Sequence, residues 1–140
     1  MDEIKTVVRR YFDAVNGGDE AALDAVVADD YVQHIPGTAP GRETVKRHLA
    51  MFRSGFPDIR CQVEALIAEG DDVVARTVTE GTHTGEFMGH APTGRRFRAG
   101  GVDVFRVREG RLVEHWGLFD TLGMLLQLGL FRPMTPESGR

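Results

Sequence analysis

Residues 95–120, RRFRAGGVDVFRVREGRLVEHWGLFD, decide the fold. Val102, Val104, Phe105 and Val107 lead into the charged segment Arg108–Glu109–Gly110–Arg111, and Leu112, Val113, Trp116, Leu118 and Phe119 lead out of it. β-Branched and aromatic residues on both sides of a tight turn ending in Gly predict a long hairpin. Gly100–Gly101 marks a bulge or sharp bend near its start. Strict alternation puts Leu112, Glu114, Trp116, Leu118 and Asp120 on one face and Val113, His115, Gly117 and Phe119 on the other. With the first face inward, Asp120 ends the strand behind Trp116 and Leu118, in a low-dielectric wall. Such a wall suits a carboxyl that takes and returns a proton near neutral pH. The same Asp is also a good N-cap for a helix starting near Thr121. Glu114 on that face conflicts with burial, because an unpaired buried carboxylate is costly. Either a bulge, a partner or a solvent-facing end must resolve it.

Upstream of the hairpin, Ile4, Val7, Val8, Tyr11, Phe12 and Val15 repeat at helical spacing and predict a one-faced helix from Asp2 to Asn16. Asn16-Gly17-Gly18 stops it, and Asp19 caps a short second helix carrying Leu23, Val26 and Val27 inward. Asp29-Asp30 ends that helix. Tyr31 to Ile35 is a short strand closed by Pro36-Gly37, and Arg42 to Arg53 a third helix with Val45, Leu49 and Phe52 inward. From Ile59 the period becomes two, through Ile59, Cys61, Val63, Ala65 and Ile67. Gly70-Asp71-Asp72 turns the chain into a return strand, Val73 to Thr82. A glycine-rich stretch, 83–94, precedes the hairpin. After Asp120, LGMLLQLGLF reads as a short helix or docking tail, and residues 133–140 as a frayed end. Helices first and four long antiparallel strands after predict an α+β fold in a single domain, 1–140. The expected shape is a cone-shaped barrel, its curved sheet wrapped over three N-terminal helices around an apolar pocket.

Composition narrows the function classes. The 140 residues carry a net charge of −4, which gives no support to nucleic-acid binding. No run approaches the ~20 apolar residues of a membrane span, and the charged, amphipathic N-terminus is unlike a signal peptide. A single cysteine, Cys61, excludes an intramolecular disulfide and fits a reducing cytoplasm. The five histidines are scattered singly, with no H-x-x-x-H or H-E-x-x-H pattern, so no metal is expected. Ser54 and Ser138 lack a nucleophile-elbow context and Cys61 alternates into the core, which argues against covalent catalysis.

YFDAVNGGD, GTHTGEFMGHAPTGR and RVREGRLVEHWGLFD together resemble the SnoaL-like polyketide cyclases of the nuclear-transport-factor-2-like superfamily. The resemblance runs from about residue 3 to residue 130. It implies an α+β cone, no metal or organic cofactor, and an intramolecular aldol ring closure on an aromatic polyketide. It also implies that an acid at the end of the last long strand is the general acid/base, and Asp120 sits at the matching position. Close relatives act in ring hydroxylation, and the same scaffold hosts hydrolases, isomerases and non-catalytic binders, so function rests on the site. An epoxide-hydrolase arrangement would need Asp103, Asp120 and an arginine together.

The candidate substrate-binding residues follow from residue type and place. His34 ends the short strand, where the family lines its cavity, and is placed to bond a substrate carbonyl or Asp120. His83 and His90 sit in the glycine-rich stretch. His115 adjoins Trp116 and faces inward only if the strand carries a bulge. Asp103 opposes Trp116 across a simple two-residue turn, or pairs with Arg76 or Arg98. Phe12, Phe52 and Trp116 belong to an aromatic inventory suited to a flat polycyclic ligand. His48 flanks the third helix. A homo-oligomer, dimer or tetramer, is the superfamily's habit, and Val102, Val104, Val113 and Phe119 would supply its apolar patch.

Overall fold

The apolar stripe at the N-terminus folds as expected into α1, Asp2–Gly17, with Val7, Val8 and Phe12 buried. The computed structural model describes residues 2–131; the stretch from Pro133 onward lies outside them. Asp19 caps α2, Glu20–Val26, by accepting the Ala22 N–H. Next come β1 (Val27–Gln33), α3 (Arg42–Gly55), β2 (Arg60–Glu69), β3 (Asp72–Thr82), β4 (Arg96–Arg108), β5 (Arg111–Phe119) and α4 (Thr121–Leu128). The short strand therefore starts four residues earlier than the sequence suggests. Val27, a β-branched residue that fits either period, ends α2 and begins β1.

The strands lie in the order β1-β5-β4-β3-β2. β2 to β5 form the expected antiparallel run, while β1 joins the edge parallel to β5. The sheet is curved and unclosed, with β1 and β2 as its edges, rather than a closed barrel. The β4–β5 turn has two residues, Glu109 (φ 51°) and Gly110 (φ 74°). Positive φ at both positions gives the turn whose twist matches a right-twisted hairpin.

One face of the sheet packs on α1 and α2, joining Val8, Phe12, Leu23, Val27 and Tyr31 to Val73, Ala75, Phe105 and Leu112. A second cluster unites Phe56, Phe87, Phe97 and Ala99 with Met124 and Leu128 of α4. Phe119 packs against this second cluster, which corrects its expected place in an outer patch. The outer face instead exposes Leu118 (84%) and Val102 (46%).

Asp58 fastens the α3–β2 connection to the end of β3. Its Oδ1 accepts the Thr82 N–H at 2.7 Å and its Oδ2 accepts the Thr82 hydroxyl at 2.7 Å. The backbone bond first, then the hydroxyl, holds this carboxyl below its ordinary 3.8. A depressed folded pKa contributes stability above the unfolded value and loses it as pH falls through the folded one. Asp58→Asn keeps one acceptor and no charge. It is expected to melt a few degrees below the native protein at about pH 7. The gap should close below about pH 4, and a gap independent of pH would contradict the assignment.

Candidate active site

Which side chains of β5 face inward is set by one residue. Arg106 pairs with Glu114 and Val107 with Leu112, so Val113 is left over as a bulge. Beyond it the alternation changes phase. Leu112 and His115 are both buried on the inner side, while Glu114, Trp116 and Leu118 turn outward. Asp103 consequently stands opposite Gly117, not Trp116.

On the inner face His115 Nε2 lies 2.7 Å from Asp103 Oδ1. A carboxylate only accepts, so the imidazole N–H donates, and the neutral ring then keeps its lone pair on Nδ1. The ring is 7% exposed, stacked near Tyr31 (6.3 Å) and tilted against Phe105 (4.8 Å). Nδ1 is buried and has no partner among the described residues. The Asp103 side chain keeps 25% of its surface exposed, so the inner face is open at this point.

Two tyrosines attend the pair. Tyr11, from α1, packs on Phe12 and Phe105 at 5.2 Å each. Burial, and then the Asp103 charge, pushes its hydroxyl above the ordinary 10.0. The same forces act on Tyr31, with Tyr11 contributing ahead of Asp103. Both remain protonated donors at neutral pH. Burial likewise pushes the Cys61 thiol up, which makes it a poor nucleophile. Gln33 completes the set. It pairs in register with His115 across the parallel β1–β5 ladder, and its buried Nε2 has no partner among the described residues.

The other candidates are dispersed. Phe12 is buried in the main core beside Phe105. Phe52 is half-buried in the second cluster, 5.1 Å from Phe87. His83 is fully buried. Its Nδ1 accepts the Thr93 N–H at 3.2 Å, which places the ring proton on Nε2, an atom without a partner among the described residues. His90 is exposed and His48 half-buried.

His34 and Trp116 lie on the outer face, a correction to their expected place in the cavity. His34 Nε2 meets Glu114 Oε2 at 2.6 Å, and its ring stacks on Trp116 at 4.8 Å and 11°. Arg106 sits over the same indole at 5.2 Å and bonds Glu114 and Asp72. The partners that Glu114 requires are therefore His34 and Arg106. Asp120 is exposed and serves as the N-cap of α4, its Oδ1 accepting the Gly123 N–H at 2.8 Å. The face it was expected to share is turned outward by the bulge.

Three residues of the site carried weak signals in the sequence. Tyr31 and Gln33 alternate onto one side of a strand, and Gly117 is a glycine inside a strand, a common mark of close approach. A Cβ at position 117 would lie 2.7 Å from Asp103 Oδ1 and 2.8 Å from the His115 ring.

Two surface clefts lie elsewhere. One of about 500 Å³ is lined by Glu3, Ile4, Val107 and Glu109, and one of about 390 Å³ lies between α1 and α2. Among the described residues no three His, Cys, Asp or Glu side chains converge as a metal site. No described helix is long and apolar enough to cross a membrane.

The structure is thus an α+β scaffold with a carboxylate–imidazole pair on its inner face. The chain belongs to the SnoaL-like polyketide cyclase family, whose model matches residues 5–128. It is 30% identical over 135 residues to the aklanonic acid methyl ester cyclase AcmA of Streptomyces galilaeus, covering 92% of each chain. It is 30% identical over 120 residues to the nogalonic acid methyl ester cyclase of Streptomyces nogalater, covering 83% of this chain and 90% of that one. Its fold matches the crystal structure of IdmH from Streptomyces antibioticus, with a TM-score of 0.81 and 38% identity. That match covers 90% of this chain and 98% of the other.

Proposed function

We propose that this protein closes a ring of an aromatic polyketide by intramolecular aldol addition, with Asp103 as the proton acceptor and donor. The observation that carries the reading is the Asp103–His115 pair at 2.7 Å on a partly open inner face. The relatives named as aklanonic and nogalonic acid methyl ester cyclases support a polyketide acid methyl ester as the substrate class.

In this mechanism Asp103 takes a proton alpha to a carbonyl, and the C–H electrons pass into that carbonyl as an enolate. Tyr11, kept protonated, donates to the enolate oxygen. The enolate carbon attacks a second carbonyl in the same molecule, forming the C–C bond, and the displaced π pair becomes an alkoxide. The carboxyl of Asp103 returns its proton there. His115 holds the carboxylate in place through Nε2–H. Nothing is oxidised and nothing leaves, so the step needs no electron carrier. Much of the acceleration comes from holding one chain in a reactive fold.

The test is incubation with aklanonic acid methyl ester, followed by chromatography and mass spectrometry. Ring closure yields an isomer of unchanged mass. A product heavier by one oxygen would indicate a hydroxylase, and binding without conversion would leave a small-ligand carrier. The role of Asp120 is separable in the same assay. Asp120→Ala is expected to destabilise the fold by about 1 kcal/mol through loss of the cap, with turnover per folded molecule unchanged. Loss of turnover in Asp120→Asn, which retains a cap, would return the chemistry to Asp120.

A further inference from the structure

We propose that Gln33 and His115 together read a carbonyl with a hydroxyl on the neighbouring position of the ligand, an arrangement found in hydroxylated aryl ketones and quinones. The inference rests on the inner face being the polyketide site, and adds what that site selects. Gln33 and His115 are register partners on parallel strands, so their side chains project to the same side. His115 is buried on the inner face, which puts Gln33 there too; its neighbours Val32 and His34 turn outward with Glu114.

Each of the two carries a buried polar atom that nothing among the described residues satisfies: the Gln33 amide nitrogen, a donor, and His115 Nδ1. In the neutral imidazole that donates through Nε2 to Asp103, Nδ1 is an acceptor. Native structures satisfy nearly all such atoms, and those left over call for a specific explanation. The donor and the acceptor come from register partners on adjacent strands, whose backbones lie about one strand spacing (~4.8 Å) apart. They complement a carbonyl oxygen beside a hydroxyl. The carbonyl accepts from Gln33 and the hydroxyl donates to His115 Nδ1. An apolar edge leaves both atoms unpaired, and a second carbonyl in place of the hydroxyl leaves Nδ1 facing a lone pair.

The experiment compares 1-hydroxyanthraquinone with unsubstituted 9,10-anthraquinone, titrated against the native protein, Gln33→Leu and Gln33→Glu by fluorescence quenching. The native protein should bind the hydroxyquinone about 10-fold tighter, the worth of one good hydrogen bond. Gln33→Leu should weaken both quinones by about 10-fold, since the carbonyl loses its donor. Gln33→Glu should weaken them at least as much, placing an acceptor against an acceptor. Among the described residues the Gln33 amide nitrogen has no partner, so Gln33→Leu should melt with the native protein, whereas Gln33→Glu should melt lower because it buries a carboxylate; a thermal scan checks both. A native protein that binds both quinones equally, or a Gln33→Leu variant that binds as the native protein does, overturns the proposal and leaves the inner-face site standing. Failure of both quinones to bind the native protein overturns the site and the proposal together.

Discussion

Asp103→Asn is expected to slow ring closure by about 10²–10⁴-fold, the range for a positioned acid/base group, and to melt with the native protein. The two results must be read together. Asparagine has the same shape, and its Oδ1 can still accept the His115 Nε2–H that Asp103 accepts at 2.7 Å. What disappears is the negative charge and the ability to hold a proton. The loss should fall on kcat, with KM nearly unchanged, because the group acts on the reacting carbon rather than on the bound ring. Asp103→Ala tests the same residue with a different signature. It orphans a buried imidazole N–H, which costs about 1–3 kcal/mol of stability, so its lost activity comes with a lower melting temperature. A full rate in Asp103→Asn would remove Asp103 from the chemistry, whatever the alanine variant does.

Much of the scaffold was legible because its signals are local. The stripe from Ile4 to Val15 is a helix wherever it is packed, and Glu109-Gly110 before Arg111 makes a two-residue turn with both residues at positive φ. The side chains on the inner face were legible only up to residue 112. Leu112 and Val113 are both apolar, so either can be the inward residue, and a strand with a bulge has no single phase. The bulge at Val113 decides the matter. Its effect was to exchange Trp116 for His115 and to give Asp103 a histidine instead of an indole or an arginine. The parallel partner of β5 was equally hidden. β1 lies some eighty residues away in sequence, and nothing in its composition says which edge it joins.

The outer face explains why the bulge holds. Glu114 bonds Arg106 at 3.2 Å and His34 at 2.6 Å, and Arg106 also bonds Asp72. A straight strand would turn Glu114 into the core and leave these partners unmatched, at the cost of a buried unpaired carboxylate. The outer-face His34–Trp116–Arg106 stack thus serves the buried pair indirectly. It makes the register that presents His115 to Asp103 the favourable one.

Gly117→Ala should disable the site without touching any residue that acts in it. Alanine is ordinarily the better strand residue, favoured over glycine by roughly 0.5–1 kcal/mol. Here the sign is expected to reverse. The new Cβ would stand 2.7 Å from Asp103 Oδ1 and 2.8 Å from His115 Cε1 and Nε2, closer than such contacts occur. Both neighbours are short side chains on adjacent strands, so neither can swing aside without breaking the bond between them. Overpacking of this kind costs about 1–3 kcal/mol, visible as a lower melting temperature. Turnover should fall by about 10²-fold or more, because a misplacement near 1 Å is enough to remove that much. The decisive measurement is the double variant with Asp103→Asn. If both changes act on one pair, the double variant is no slower than the worse single, since residues that work as a unit are not additive. Multiplying losses would show that Gly117 acts on something else, and a fully active Gly117→Ala would mean that the reaction does not depend on the Asp103–His115 geometry.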